Sequence, residues 1–275
     1  MNANTLAARA NALRQTIVKM VYHAGSGHLG GSLSAVEILT VLYFREMRLE
    51  PDNPQCPQRD RFVLSKGHIT PAYYATLAMR GFFPKDLLGT FRRLGSALQG
   101  HPDRKRVPGV DMSTGSLGQG LSVAVGMALA AKLKGENYRT YALLGDGELQ
   151  EGQVWEAFML SAQYRLDNLC VIIDQNGIQS DGRVNDINSI DPLDAKLRSF
   201  RFHVLAVDGH NLEALSNAFA QARKMKGKPT AILAQTVKGK GVSFMEGNAA
   251  WHGRVPDSSE YAQAMAELKR AGAAL

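Results

Sequence analysis

The 275-residue sequence contains only two cysteines. Cys56 lies in a proline-rich stretch and Cys170 in an apolar one, so they build no disulfide framework. One surface thiol and one buried thiol are expected. Long apolar runs are also missing. The smoothest, LSVAVGMALAA from Leu121, has 11 residues, too few to cross a bilayer. Its small side chains suit a closely packed buried helix. The first twenty residues hold no apolar signal core and no cleavage site, so a cytoplasmic protein without membrane contact is expected. Charge of one sign is not concentrated either. Thirty-two Lys and Arg against 25 Asp and Glu give +7, yet no basic stripe is interleaved with aromatics, as nucleic-acid binding would need. The clusters DRKR (103–106) and RKMKGK (223–228) read as a loop and a helix end, and a positive field also suits phosphorylated small molecules. No repeat, low-complexity linker or composition break divides the chain, so one domain over 1–275 is expected.

What is present is a regular alternation of two periods. Leu6, Ala10, Leu13, Ile17 and Val21 recur at helical spacing. Ser34 with Glu37 three residues on reads as a capping box opening a second helix. RFVLS (61–65) reads as a strand. Thr70-Pro71 reads as an N-cap with proline at the first helical position, and Gly81 as that helix's end. After a glycine-rich loop over 95–120, a helix of small residues runs to Gly135. TYALL, NLCVIID, FHVLAV and TAILAQTV then read as strands, separated by the helical patterns GQVWEAFMLSAQYRL and NLEALSNAFAQARKM and by a polar loop with a short helix near 192. Asp257 with Glu260 opens a last helix. Continuous apolar strands alternating with helices predict an α/β fold, a parallel sheet with helices on both faces.

GSGHLG (25–30) spells the dinucleotide fingerprint. That fingerprint works only when a strand delivers the chain to the glycines and a helix leaves them toward the pyrophosphate. Here the glycines follow a helical period unbroken from Arg9 to Val21, which argues against an NAD enzyme. A flexible turn between two helices accounts for the glycines but leaves His28 unexplained.

A stronger pattern begins at 145. GDGELQEG follows the strand TYALL, and Asn176 follows the strand NLCVIID. Ligands of open parallel sheets gather at the carboxyl ends of strands. Asp146 and Asn176 can therefore converge if those strands are neighbours. One carboxylate and one amide oxygen are hard ligands for Mg²⁺ or Ca²⁺, and Mg²⁺ favours a few protein oxygens completed by phosphate oxygens. The glycines flanking Asp146 let backbone approach a diphosphate closely.

The G-D-G…N pattern is similar to the thiamine diphosphate motif. SGHLGGSLS, LSKGHI, GHPD, STGSLGQG, GDGELQEG, DQNGI and WHG, in that order from about 25 to 253, resemble the transketolase family. The resemblance implies a thiamine diphosphate-binding domain in which Asp146 and Asn176 hold Mg²⁺ by side chains and Ile178 by its carbonyl. It implies Gly147 at the diphosphate and Gly115 and Leu117 beside the aminopyrimidine. His28, His68, His101 and His252 would line the cleft around cofactor and sugar. His28, His252 and His101 are the expected proton-transfer and hydroxyl-binding groups, because unperturbed imidazole titrates near neutral pH. His68 and His252 are expected to touch the cofactor. Glu151 would reach across a subunit interface to the glutamate that activates the aminopyrimidine. Leu29 departs from the proline many members carry.

The implied activity is transfer of a two-carbon ketol unit from a ketose phosphate to an aldose phosphate. Full-length transketolases are more than twice this length. The chain is therefore expected to be the N-terminal subunit of a split transketolase, paired with a pyrimidine-domain subunit in a two-plus-two assembly. Other activities on the same scaffold, such as deoxyxylulose-phosphate synthesis or transfer from a specialised sugar, and a non-catalytic subunit, are the rivals.

Overall fold

The computed structural model describes residues 3–274, and in it the apolar segments pair as five parallel strands. These are β1 (Arg61–Leu64), β2 (Thr140–Gly145), β3 (Leu169–Gln175), β4 (His203–Asp208) and β5 (Thr230–Gln235), in the order β1-β2-β3-β5-β4. Alternation along each strand divides the interior in two. Phe62, Leu64, Tyr141, Leu143, Cys170 and Ile172 point to one face. Val63, Ala142, Leu144, Val171 and Ile173 point to the other. Both faces are covered, so the strands read as unbroken apolar runs. Only the edge strand β4 is mostly half-buried or exposed, with Val204 its one buried residue.

The first face is covered by α1 (Ala3–Ala24), two short helices α2 (Leu29–Ser34) and α3 (Val36–Val41), and α4 (Thr70–Arg80). The second face is covered by α5 (Gln119–Lys134) and α6 (Gly152–Gln163). The long loop after β3 carries α7 (Val184–Asn188) and α8 (Leu193–Ser199). Two further helices, α9 (Leu212–Lys224) and α10 (Ser258–Ala273), pack on the first face. Gly81 and Gly135 close α4 and α5 in the left-handed conformation that glycine adopts without strain. The Asp257–Glu260 capping box forms. Cys170 is buried and Cys56 half-buried, both as free thiols.

Two expected helix starts are corrected. Ser34 ends α2 instead of opening a helix, and its hydroxyl donates to Asp174 Oδ2 at 2.6 Å. Glu37 turns to Arg14 and His210. Each side chain is buried, and a buried polar group goes to its strongest partner before it goes to a cap. Thr70 is the first helical residue of α4, not its cap, and its hydroxyl donates to the Gly100 carbonyl at 3.0 Å. The glycine turn before α2 is also packed, not flexible. A methyl group at Gly27, where φ is +152°, would stand 2.7 Å from a Val21 methyl.

Candidate active site

The carboxyl ends of the strands form one rim, and β2 and β3 are neighbours there, with Gly145 paired to Asp174. Asp146 and Asn176, the next residues past each strand, are thereby brought together. Asp146 is 3 % exposed. Its Oδ1 accepts from the Gly147 N–H at 2.8 Å and its Oδ2 from the Gly177 N–H at 2.5 Å. The second bond ties the loop after β3 to the loop after β2. Asn176 Oδ1 accepts from the Ile178 N–H at 3.1 Å. Burial, then the Asp174 charge, push the Asp146 carboxyl up to about 6. A buried carboxylate beside another carboxylate is a site that a cation would relieve.

No group of three or more His, Cys, Asp or Glu side chains suited to a metal exists among the described residues. A cation at Asp146 would have one carboxylate, one amide oxygen and backbone carbonyls, and would need further oxygens from a ligand. That donor set fits Mg²⁺ with a diphosphate. Two adjoining cavities share Asp146, Asn176 and Ile178, with volumes of ≈ 260 and ≈ 520 Å³. The smaller is lined by Gly147, Leu117, Glu151, His68, His252, Lys66 and Lys238.

Two buried lysines stand on this rim. Lys66, just past β1, is paired with Asp174 at 2.6 Å. Burial pushes Asp174 up, but Lys66 and the hydroxyls of Ser34 and Thr236 outweigh it and hold the carboxyl below its ordinary range. Lys238, just past β5, donates from Nζ to Ile178 O at 2.9 Å and meets His252 Nδ1 at 2.9 Å. Burial, then Lys66, push it down to about 8. An ammonium only donates, so His252 Nδ1 accepts and its hydrogen sits on Nε2.

The Lys238 turn is held from behind. The Val237 N–H donates to His210 Nε2 at 2.8 Å, which leaves His210 Nδ1 to donate to Glu37 at 2.9 Å. Arg14 pairs with Glu37 at 2.6 Å and donates to Lys240 O at 3.0 Å. From the other side, the Gly239 N–H donates to Gly30 O. A methyl group at Gly30 would stand 2.9 Å from Lys238 Cγ and 2.9 Å from the Trp251 carbonyl. The third glycine of GSGHLG therefore makes room for a lysine.

His28, His68 and His252 form a triangle with ring centroids 5.1, 5.3 and 5.2 Å apart. Burial, then Arg92, push His28 down to about 4. Burial, then Lys238, do the same to His252. His68 is held well below the usual imidazole range by burial and Lys66. These rings are neutral at pH 7. Burial comes first in each case, and the cations Lys66 and Lys238, with Arg92 at His28, add to it. The sign for stability follows. Unfolded imidazoles take protons near pH 6.5 and the folded ones only near 4, so acid favours the unfolded chain across that interval. The melting temperature is expected to fall as pH is lowered from about 6.5 toward 4. A variant with His28→Asn and His252→Asn should fall less steeply in the same buffers, and an unchanged slope would contradict the assignment.

His101 lies outside the triangle. It is exposed and packs against Gly115, where a methyl group would stand 3.0 Å from its Cδ2. Leu117 and Glu151 are exposed at the lip of the cleft. Gly118, in left-handed backbone, packs on the Glu151 side chain. Glu148, buried between them, accepts from Ser65, from the Gly118 N–H at 2.9 Å and from the Gly145 N–H at 3.1 Å, and so locks the two glycine loops together. Asp146, Gly147, Asn176, Ile178, Leu117, Glu151, His68 and His252 thus line the two cavities, His28 packs on His68 and His252, and His101 and Gly115 pack on each other without lining either. Lys66, Lys238, Asp174, Glu148 and Arg92 were not singled out in the sequence. The signal for the lysines was available, since both follow a strand directly and precede a glycine.

A parallel sheet whose strand ends pair a carboxylate with an amide, beside buried lysines, offers the groups a metal-bound diphosphate needs. The chain belongs to the transketolase family: residues 6–270 match the family model described as transketolase, thiamine diphosphate binding domain. It is 48 % identical over 265 residues to the 6-deoxy-6-sulfo-D-fructose transketolase subunit of a Clostridium species, covering 96 % of each chain. It is 43 % identical over 268 residues to an apulose-4-phosphate transketolase subunit of Phocaeicola vulgatus, covering 98 % of this chain and 95 % of that one. The transketolase structure from Campylobacter jejuni superimposes with a TM-score of 0.93 at 35 % identity, over 98 % of this chain but 43 % of the other. The chain thus spans nearly all of the subunits it matches and less than half of that transketolase.

Proposed function

We propose that this chain is the diphosphate- and metal-binding subunit of a two-chain transketolase that moves a two-carbon ketol unit from a ketose phosphate to an aldose phosphate. The observation that carries this is the convergence of Asp146, Asn176 and Ile178 at adjacent strand ends, in a cleft backed by Lys238 and three neutral histidines. Thiamine diphosphate, when bound, supplies the carbon that adds to the ketose carbonyl and stores the electron pair freed when the neighbouring C–C bond breaks. Asp146, Asn176 and the Ile178 carbonyl would hold Mg²⁺, or Ca²⁺ in its place. The Gly147 backbone would meet the diphosphate, and the Lys238 ammonium would balance its charge. His68 and His252 would face the cofactor, with Gly115 and Leu117 beside its pyrimidine ring. His28, His252 and His101 would hold sugar hydroxyls and move their protons, each neutral ring offering one donor and one acceptor. Glu151, exposed at the lip, would reach toward the partner chain.

Relatives of this length are named as subunits, for 6-deoxy-6-sulfo-D-fructose and for apulose 4-phosphate. By that likeness, a second chain carrying the remaining transketolase domains is the proposed partner, in a two-plus-two assembly. Alone, with Mg²⁺, thiamine diphosphate, a ketose phosphate and an aldose phosphate, the chain is expected to give no turnover. Addition of a second chain carrying the pyrimidine-binding domain should restore it, with a mass by light scattering of two chains of each kind. Robust turnover by the isolated chain would overturn the two-chain reading.

A further inference from the structure

Arg92 is held at unusual expense in the loop after α4. Its φ is +57°, a left-handed backbone that a long side chain adopts at a cost of order 1 kcal/mol or more. Its Nε is buried without a hydrogen-bond partner. The guanidinium lies flat on Gly100, where a methyl group would stand 2.6 Å from Nη2 and 2.7 Å from Cζ. Nη1 donates to Ser26 Oγ at 2.9 Å, which anchors Arg92 to the glycine turn two residues before His28. Among the described residues it has no ion-pair partner. Its charge reaches Tyr74 and also His28 and His101, whose hold on a proton it weakens. A partly buried cation beside neutral imidazoles, with no counter-charge, is a costly arrangement for the chain by itself. Strain and unmet polar groups of this kind collect where a ligand completes the set.

We propose that Arg92 is a substrate-binding and specificity-determining residue, its guanidinium Nη groups taking oxygens of the sugar chain beside His28 and His101. A guanidinium offers two parallel N–H groups, so it suits two oxygens at once, either adjacent hydroxyls or a terminal oxyanion. The inference rests on the sugar being bound at the histidines, as proposed above.

Arg92→Gly is the informative variant, because glycine adopts a φ near +57° without strain and the backbone loses nothing. Arg92→Lys keeps the charge and removes the fork. Both are assayed in the reconstituted two-chain enzyme with fructose 6-phosphate or 6-deoxy-6-sulfo-D-fructose, whichever the wild type uses better, and with erythrulose, a ketose without an anionic end. Arg92→Gly is expected to raise the donor KM about 10- to 100-fold, as loss of a charged hydrogen bond would. Arg92→Lys should lie between it and the wild type. Thiamine diphosphate affinity, read by calorimetry, should stay within about twofold. An equal loss on erythrulose assigns Arg92 to hydroxyls, and a loss confined to the charged donor assigns it to the oxyanion. Unchanged KM for every donor overturns the proposal, as does a parallel fall in thiamine diphosphate affinity. Failure of the wild type on all these donors would instead exclude these sugars as its donors, leaving family membership as it stands.

Discussion

Replacing Asp146 with alanine is expected to weaken magnesium-dependent binding of thiamine diphosphate by more than about 100-fold, since even partners of metal ligands are worth 10- to 100-fold. The reason is that Asp146 is the one carboxylate in the proposed donor set; Asn176 and Ile178 bring neutral oxygens. The same residue has a second task, because its two oxygens accept from the Gly147 and Gly177 N–H groups and so join the loops after β2 and β3. Asp146→Asn should therefore fare nearly as badly. Whichever way the amide is turned, its NH₂ faces one of those N–H donors. The stability of the ligand-free chain should change far less. Removing a carboxylate that sits beside Asp174 relieves a repulsion, which offsets the lost hydrogen bonds. Calorimetry with the partner chain present measures the affinity. The rise in melting temperature on adding Mg²⁺ and thiamine diphosphate gives an independent reading through linkage. Wild-type affinity in either variant would remove Asp146 from the metal site.

The division between what was legible in the sequence and what was not follows the range of the interactions. The five strands and the long helices rest on local periods and on caps such as Gly81, Gly135 and Asp257, and all stand where those signals put them. Asp146 and Asn176 could be paired because a strand end is a local feature and neighbouring parallel strands are the common case. Ser34, Glu37 and Thr70 carry the local spelling of helix caps, yet each is drawn to a distant buried partner: Asp174, Arg14 with His210, and the Gly100 carbonyl. Nothing in three or four residues of sequence can announce such a partner. The same holds for the histidines. Their convergence was implied by motifs, but their weakened hold on a proton comes from burial first and then from Lys66, Lys238 and, at His28, Arg92, which arrive from three separate loops.

His28→Ala is the second large effect. Turnover in the two-chain enzyme is expected to fall about 100-fold or more, within the range for loss of a proton-transfer group. Thiamine diphosphate affinity should stay close to wild type. The separation follows from position. His28 lies on the turn before α2, and its ring touches His68 and His252 instead of lining the cavity at Asp146. Its role in the fold is small, since it is only half-buried and its Nδ1 has no partner to lose. The glycines around it serve the site as a whole. Gly27 lets the turn close on Val21, and Gly30 lets Lys238 pass beneath, so the ring is held by a packed backbone. His28→Asn distinguishes what the ring does. An amide can hold a hydroxyl but cannot take its proton, so recovery of most of the rate by Asn would make His28 a hydrogen-bonding residue, and no recovery would make it the base. A neutral ring with a pKa pushed down to about 4 remains able to accept a proton across the whole range from about pH 6 to 8. The rate should accordingly show no acid limb near pH 6.5 that His28→Asn removes. If thiamine diphosphate affinity collapsed in His28→Ala while the loaded fraction turned over normally, His28 would belong to the cofactor and not to the sugar.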